Sequence, residues 1–180
     1  MIYKIIFLGP TNAGKTSLFM KSQSPTNSTI GCAFHQRHEK IRNMIHTFNI
    51  WDTAGQEHYH SLIPLYTRNA HAAALCFDLS EETMNLNHYK TLIQEIPNII
   101  LVGCKADIVS NPDEILASVA RKYGIHDTHV TSAHFNPESV DTLFSKLFTM
   151  SVTNDNSIPS ETFCFTDDVD EVKTCGTCCN

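Results

Sequence analysis

The fold class this sequence predicts is an α/β domain built on a mixed, mostly parallel six-stranded sheet with helices on both faces, and three observations predict it. Apolar runs alternate with segments of helical period over residues 1–150, the pattern of a parallel sheet covered on both sides. The runs at Ile2–Leu8, 71–79 and 98–103 are near-continuously apolar instead of alternating, as strands buried on both faces require. A glycine-rich turn at 9–14 separates the first run from the first helical segment, joining a strand directly to a helix.

Taken in order, the turn leads into a helix from about Thr16 to Lys21. Residues 32–41 and 43–51 read as strands joined by a tight, charged connection near Lys40–Asn43, hence an antiparallel hairpin at the sheet edge. HAAALCFDL (71–79), NIILVG (98–103) and THV (128–130) are three further strands, with helices expected at 82–95, 112–123 and 138–150. Pro112, Asp113 and Glu114 start a helix well, because proline lacks the N–H that the first turn leaves unpaired and carboxylates favour that end. Gly124 stops it. From Ser151 the segment is polar and acidic with no apolar face, so the expected organisation is one domain over 1–150 and a disordered tail over 151–180.

Composition fits this plan and excludes others. With 180 residues, 42% hydrophobic and 18% charged, the chain has material for one core. Six acidic residues against Lys173 give the tail −5 of the total −6, leaving 1–150 near neutral, so nucleic acid is not an expected partner. No run is long and apolar enough to span a bilayer. Of the seven cysteines, Cys32, Cys76, Cys104 and Cys164 are scattered and read as thiols of a reducing compartment. The ten histidines show no recurrent metal-ligand spacing and receive no role.

The chemistry is concentrated in a few motifs. Gly9-Pro10-Thr11-Asn12-Ala13-Gly14-Lys15-Thr16, followed by Ser17, matches GxxxxGK[ST] between an expected strand and helix. Backbone N–H groups of such a loop converge on phosphate oxygens, the lysine reaches the β- and γ-phosphates, and the hydroxyl ligates Mg²⁺. The alternative is a chance glycine-rich turn. Trp51-Asp52-Thr53-Ala54-Gly55-Gln56-Glu57 ends the second hairpin strand. There Asp52 is placed to hold Mg²⁺ through a water, Gly55 to let backbone approach the γ-phosphate, and Gln56 to orient the attacking water.

WDTAGQE beside the P-loop resembles the small GTPases, and Ile30-Gly31-Cys32-Ala33-Phe34 with Trp51 and Tyr66 resembles their Rab branch. WDTAGQEHYHSLIPLYTRNAHAA is most similar to the early-endosomal Rabs. The resemblance implies a P-loop NTPase of the small-GTPase fold, a switch in vesicle traffic that binds GTP or GDP with Mg²⁺ and hydrolyses GTP. It implies Lys15, Thr29 and Gln56 as catalytic residues and Thr16, Thr29 and Asp52 as metal ligands. It assigns the nucleotide to Gly9, Thr11, Asn12, Ala13, Gly14, Lys15, Thr16, Ser17, Thr29 and Gly55 on the phosphate side, and to Lys105, Asp107, Ser132 and Ala133 around the base. Gly103-Cys104-Lys105-Ala106-Asp107 resembles the family's NKxD, whose Asp reads the guanine N1 and N2 donors, and Thr131-Ser132-Ala133 its last guanine loop.

Phe34, Trp51 and Tyr66 fall where Rabs keep an aromatic triad; core packing is the alternative, and for Trp51 beside an edge hairpin a part-exposed binding surface is the favoured reading. Cys178-Cys179-Asn180 resembles the endings on which Rabs carry two geranylgeranyl groups. The implied location is cytoplasmic, on an endomembrane of the endosomal kind, held there by those lipids. The implied partners are a GTPase-activating protein, an exchange factor, a GDP-dissociation inhibitor and a prenylation escort protein. A zinc pair at Cys175 and Cys178 is the rival reading of the tail cysteines.

Departures from the family pattern lie mostly on the base side. Cys104 stands where the family has Asn, the 15–29 segment is short and lacks a base-covering aromatic, His134 replaces a Lys, and Asn12 replaces a small P-loop residue. They motivate an alternative function, a nucleotide-binding scaffold of the same fold with weak or no hydrolysis.

Overall fold

The computed structural model describes residues 1–20, 31–55, 63–81 and 85–153. Six strands form one sheet in the order β2-β3-β1-β4-β5-β6. The strands are β1 (Ile2–Leu8), β2 (Cys32–Ile41), β3 (Met44–Thr53), β4 (Ala72–Asp78), β5 (Ile99–Cys104) and β6 (Asp127–Val130). All neighbours are parallel except β2 and β3, the expected hairpin. Arg42 and Asn43 make its turn with φ of 49° and 65°. Two successive left-handed residues give the tight turn whose twist matches that of the flanking strands.

Among the described residues five α-helices complete the layers: α1 (Lys15–Met20), α2 (Ile63–Thr67), α3 (Lys90–Glu95), α4 (Pro112–Tyr123) and α5 (Pro137–Thr153). One core cluster joins Phe7, Phe48 and Ile50 of the sheet to Leu18 of α1 and Phe144 of α5. The other joins Ile6, Leu75 and Leu101 to Ile63, Leu92 and Leu116 of α2, α3 and α4. The central strands β1, β4 and β5 are thus buried on both sides, as their continuous apolar runs imply.

Helix α4 begins at Pro112 and ends at Gly124, whose φ is 69°, as read from the sequence. Four elements differ from expectation. β3 runs to Thr53, because Asp52 and Thr53 pair with Ala33 and Cys32 and so extend the ladder. The expected 82–95 helix is a short 3-10 turn over Asn87–Tyr89 followed by α3, with 82–84 outside the described residues. Helix α2, one and a half turns without helical periodicity to betray it, was not anticipated. Helix α5 continues to Thr153, three residues past its expected end, with Ser151 buried and its hydroxyl donating to the Leu147 carbonyl at 2.8 Å. No helix among the described residues is long and apolar enough to cross a membrane.

This topology puts the carboxyl ends of β1, β3, β4, β5 and β6 along one edge of the sheet. In open α/β sheets that edge, where the strand order reverses, is where ligands bind.

Candidate functional site: a phosphate loop beside a base cavity

The loop after β1 is shaped by steric necessity. Gly9 has φ of 136°, and a Cβ there would run into the backbone carbonyl of Cys76 on β4. Gly14 has φ of 95°. Asn12, at φ of 63°, occupies the left-handed region that asparagine tolerates best among residues with a side chain, so its departure from a small residue is harmless to the loop. Gly55, at the end of the β3 connection, lies so close to the backbone of Pro10 and Thr11 that a Cβ would collide with both. Gly55 therefore lets the end of the β3 connection lie directly against the phosphate loop.

Lys15 is buried, and its ammonium donates to the carbonyls of Gly9 at 2.8 Å and Pro10 at 2.7 Å, arching back over the loop. Burial pushes its pKa down, while the neighbouring Cys76, Asp52 and Cys104 oppose the shift. The Thr16 hydroxyl donates to Asp52 Oδ2 at 2.7 Å. A hydroxyl and a carboxylate side by side at a loop mouth are hard oxygen donors of the kind that suit Mg²⁺. The Asp52 carboxylate is itself buried, and a divalent cation nearby is a natural counter-charge for it. Of the expected phosphate-side residues, Thr29 and Gln56 lie outside the described residues.

The base side is a cavity of about 190 Å³ lined by Gly14, Ser17, Cys104, Lys105, Asp107 and Ala133 among others. Lys105 sits in the left-handed region at φ of 59°, and its ammonium pairs with Asp78 Oδ2 at 2.7 Å. Burial raises the Asp78 carboxyl, but hydrogen bonds from Lys105 and Ser80 outweigh it and hold the group below the usual carboxylate range. The Ser132 hydroxyl donates to Asp107 Oδ1 at 2.6 Å and accepts from the Phe135 amide at 3.1 Å. That leaves the Asp107 carboxylate a second oxygen with which to meet a base. Backbone bonds from the Ala106 amide to the Thr131 carbonyl (3.1 Å) and from the Thr131 amide to the Gly103 carbonyl (2.8 Å) lock the two base loops together.

Cys104 occupies the position of the missing amide. A Cβ on Gly14 would lie 3.3 Å from its Cβ and 3.6 Å from its sulfur, so loop and thiol meet by packing. The thiol's hydrogen bond goes to the Val102 carbonyl at 4.0 Å, within its own strand and not to the P-loop. Sequence reasoning missed Cys76 and Asp78. Asp78 could have been found, as a charge closing an apolar strand at the ligand edge. Cys76 could not, since its partner is set by the register of β4 against β5.

Phe34 and Trp51 pair edge-on at 5.1 Å, and Trp51 stands 6.4 Å from Tyr66. Phe34 is 50% exposed and the other two are half-buried, so the three rings form a continuous aromatic surface that is partly open. The Lys4 ammonium caps Trp51 at 5.4 Å from its ring centre.

A glycine-bound loop carrying a buried lysine, a hydroxyl–carboxylate pair and a cavity with an anchored aspartate together are the features of the P-loop nucleotide-binding class. The Ras family model matches residues 4–153. Ras-related protein Rab5 of Nicotiana tabacum is 41% identical over 132 residues, covering 67% of this chain and 65% of that protein. Ras-related protein Rab-22A of Homo sapiens is 31% identical over 171 residues, covering 87% of each. Ras-related protein RABF2a of Arabidopsis thaliana is 41% identical over 118 residues, covering 59% and 58%. The chain therefore belongs to the Ras family, as a Rab-type small GTPase of the early-endosomal branch, in a family of GTP-hydrolysing switches of vesicle traffic.

Proposed function

We propose that this chain binds GDP and GTP with Mg²⁺, hydrolyses GTP slowly, and presents its aromatic surface to partners in the GTP-bound form. The observation that carries the reading is Thr16 beside Asp52 at 2.7 Å, next to a buried lysine folded over the P-loop. Backbone amides of the loop bind the phosphates, and Lys15 exchanges its two carbonyl partners for phosphate oxygens. Thr16, Thr29 and Asp52 would hold the cation, which would supply positive charge to offset that developing on the phosphates. Gln56 orients the attacking water, and Gly55, free of a Cβ, lets its segment shift when the γ-phosphate leaves. At the base, Asp107 accepts from guanine while Ser132 holds its other oxygen in place.

The finer reading is a membrane switch. Effectors bind Phe34, Trp51 and Tyr66 through the open faces of the rings. Cys178 and Cys179 carry prenyl groups that place the protein on an endosomal membrane, since two chains anchor firmly where one is marginal. A GTPase-activating protein, an exchange factor, a GDP-dissociation inhibitor and a prenylation escort protein are the expected regulators. Nothing among the described residues favours the scaffold reading over this one.

Two measurements on purified full-length protein test the function. Nucleotide extracted from it should be guanine nucleotide near one per chain, released by a chelator. In single-turnover assays Gln56→Leu should slow phosphate release by about tenfold or more. Protein that carries no guanine nucleotide and takes none up defeats the reading. Unchanged turnover in the Gln56 variant removes that residue from catalysis.

A further inference from the structure

The loop after β6 carries two aromatic rings outside both core clusters. His134 and Phe135 are exposed, Phe135 to 72%, and their rings meet edge to face at 4.6 Å and 77°. His134 also lines the base cavity. A ring pair at the mouth of a cavity leaves apolar surface in water that a flat ligand would cover.

The rings are exposed, but the turn that bears them is fixed. The Ser132 hydroxyl that donates to Asp107 also accepts from the Phe135 amide, and the Asn136 amide donates to the Ser132 carbonyl at 2.9 Å. The Asn136 side chain in turn accepts from the Ser139 amide at 3.1 Å in the first turn of α5, capping that helix. One hydroxyl therefore holds both the aspartate that meets the edge of a base and the turn that carries His134.

The cavity walls come from two sides. Lys105, Asp107 and Ile108 belong to the loop after β5, Ala133 and His134 to the loop after β6. A base with its edge on Asp107 turns its faces to the side chains beside it. Among the described residues His134 is the one aromatic side chain lining the cavity. Residues 21–30, which continue from α1 on the Ser17 and Leu18 side of the cavity, read KSQSPTNSTI and hold no aromatic residue.

We propose that His134 is the stacking residue of the base site, its ring lying on one face of the guanine with Phe135 supporting it edge-on. The inference deepens the nucleotide reading above and rests on it. Stacking is tolerant of base identity, because every base has a π face. Asp107 thus selects guanine by its edge, while His134 adds retention without selectivity. The contact stands where the site opens to solvent, and its loss appears mainly as faster release.

The test uses full-length protein and the variants His134→Ala, His134→Phe and Phe135→Ala, all with Mg²⁺. Displacement of a fluorescent GDP gives affinities for GDP and for inosine diphosphate, which lacks the amino group that Asp107 reads. His134→Ala should weaken both about tenfold and leave their ratio unchanged. His134→Phe should bind both within about threefold of the unmodified protein, since a ring is what the face requires. Phe135→Ala should cost about threefold, the scale of one edge-to-face contact. In NMR spectra of the unmodified protein the imidazole C–H signals missing from His134→Ala should move upfield on GDP binding, shifted by the ring current of the base.

GDP affinity within about twofold of normal in His134→Ala overturns the inference, as do imidazole signals that stay in place. A loss in which the ratio of GDP to inosine diphosphate affinity also shifts overturns it, because the substitution then acts through the loop that holds Asp107. Failure of His134→Phe to recover binding overturns it in favour of a polar contact from the imidazole. Unmodified protein that takes up neither nucleotide defeats the nucleotide reading as well, whereas full GDP binding by His134→Ala defeats the stacking alone.

Discussion

The phosphate side and the base side of the site are built on different principles. On the phosphate side the constraints are steric and made by backbone. Gly9 passes against Cys76, Gly55 against Pro10 and Thr11, and Lys15 is held by two carbonyl oxygens. On the base side the constraints are pairs of side chains, Lys105 with Asp78 and Asp107 with Ser132, which are partly exposed, and a thiol packed where an amide would bond. A backbone constraint admits almost no substitution, because any Cβ collides. A side-chain pair can lose a member and leave the fold standing. That difference accounts for where this chain departs from its relatives: Cys104 and His134 change the base cavity, whereas Lys15, Thr16, Asp52 and Gly55 stay as the family pattern has them.

The comparison breaks most visibly at Lys15. Lys15→Ala removes a charged donor from the phosphate loop and both of its carbonyl contacts. GDP affinity should fall by at least about a hundredfold, or ~3 kcal/mol, the scale of lost charge-assisted hydrogen bonds. Titration with a fluorescent GDP at fixed Mg²⁺ measures it. A loss below about fivefold would show that phosphate binding does not depend on this lysine.

A purely steric version of the comparison uses glycine. Gly9→Ala places a Cβ on the Cys76 carbonyl in a backbone region that alanine avoids, whereas Gly124→Ala adds strain alone, with nothing within 4 Å of its Cβ. The first should cost about 3 kcal/mol, or roughly 10 °C in Tm, and the second about 1 kcal/mol. Thermal unfolding of the two variants, both loaded with GDP, reads the difference. Equal shifts would mean that the loop under the phosphates yields as easily as a helix end on the surface.

Legibility from sequence follows the same division. Continuous apolar runs and the proline and glycine bounding α4 revealed most of the sheet and one helix to the residue. The P-loop, Asp52 and Gly55 were readable because their chemistry is local: each motif is contiguous and sits at a strand end. Helix α2 was not readable, because five residues carry too little period to distinguish helix from loop. Nor were the contacts of Lys105 with Asp78 and of Cys104 with Cys76, each joining residues 27 or 28 positions apart in the chain that meet only through the register of β4 and β5. The loss at Cys104 could be seen in the sequence, but not what had replaced the amide.

Cys104→Asn sharpens the comparison with the smallest expected effect. The contact between Cys104 and Gly14 is packing, and the thiol's hydrogen bond goes to the Val102 carbonyl of its own strand instead of to the P-loop. Asparagine would bring an amide able to bond both to the loop and to the base, although it must also sit against Cys76, which is fully buried. Because the phosphate grip is unchanged, the gain should appear in the off-rate, as contacts restored within a fixed site usually do. One regained hydrogen bond of typical size, ~1.4 kcal/mol, corresponds to GDP release slower by about tenfold. Stopped-flow release of a labelled GDP at fixed Mg²⁺ measures this in both forms. Unchanged release would show that the cysteine pair already holds the base loop in its binding geometry. In that case the substitution costs the protein nothing in nucleotide retention, and the base side would prove as tightly built as the phosphate side, with sulfur contacts in place of an amide.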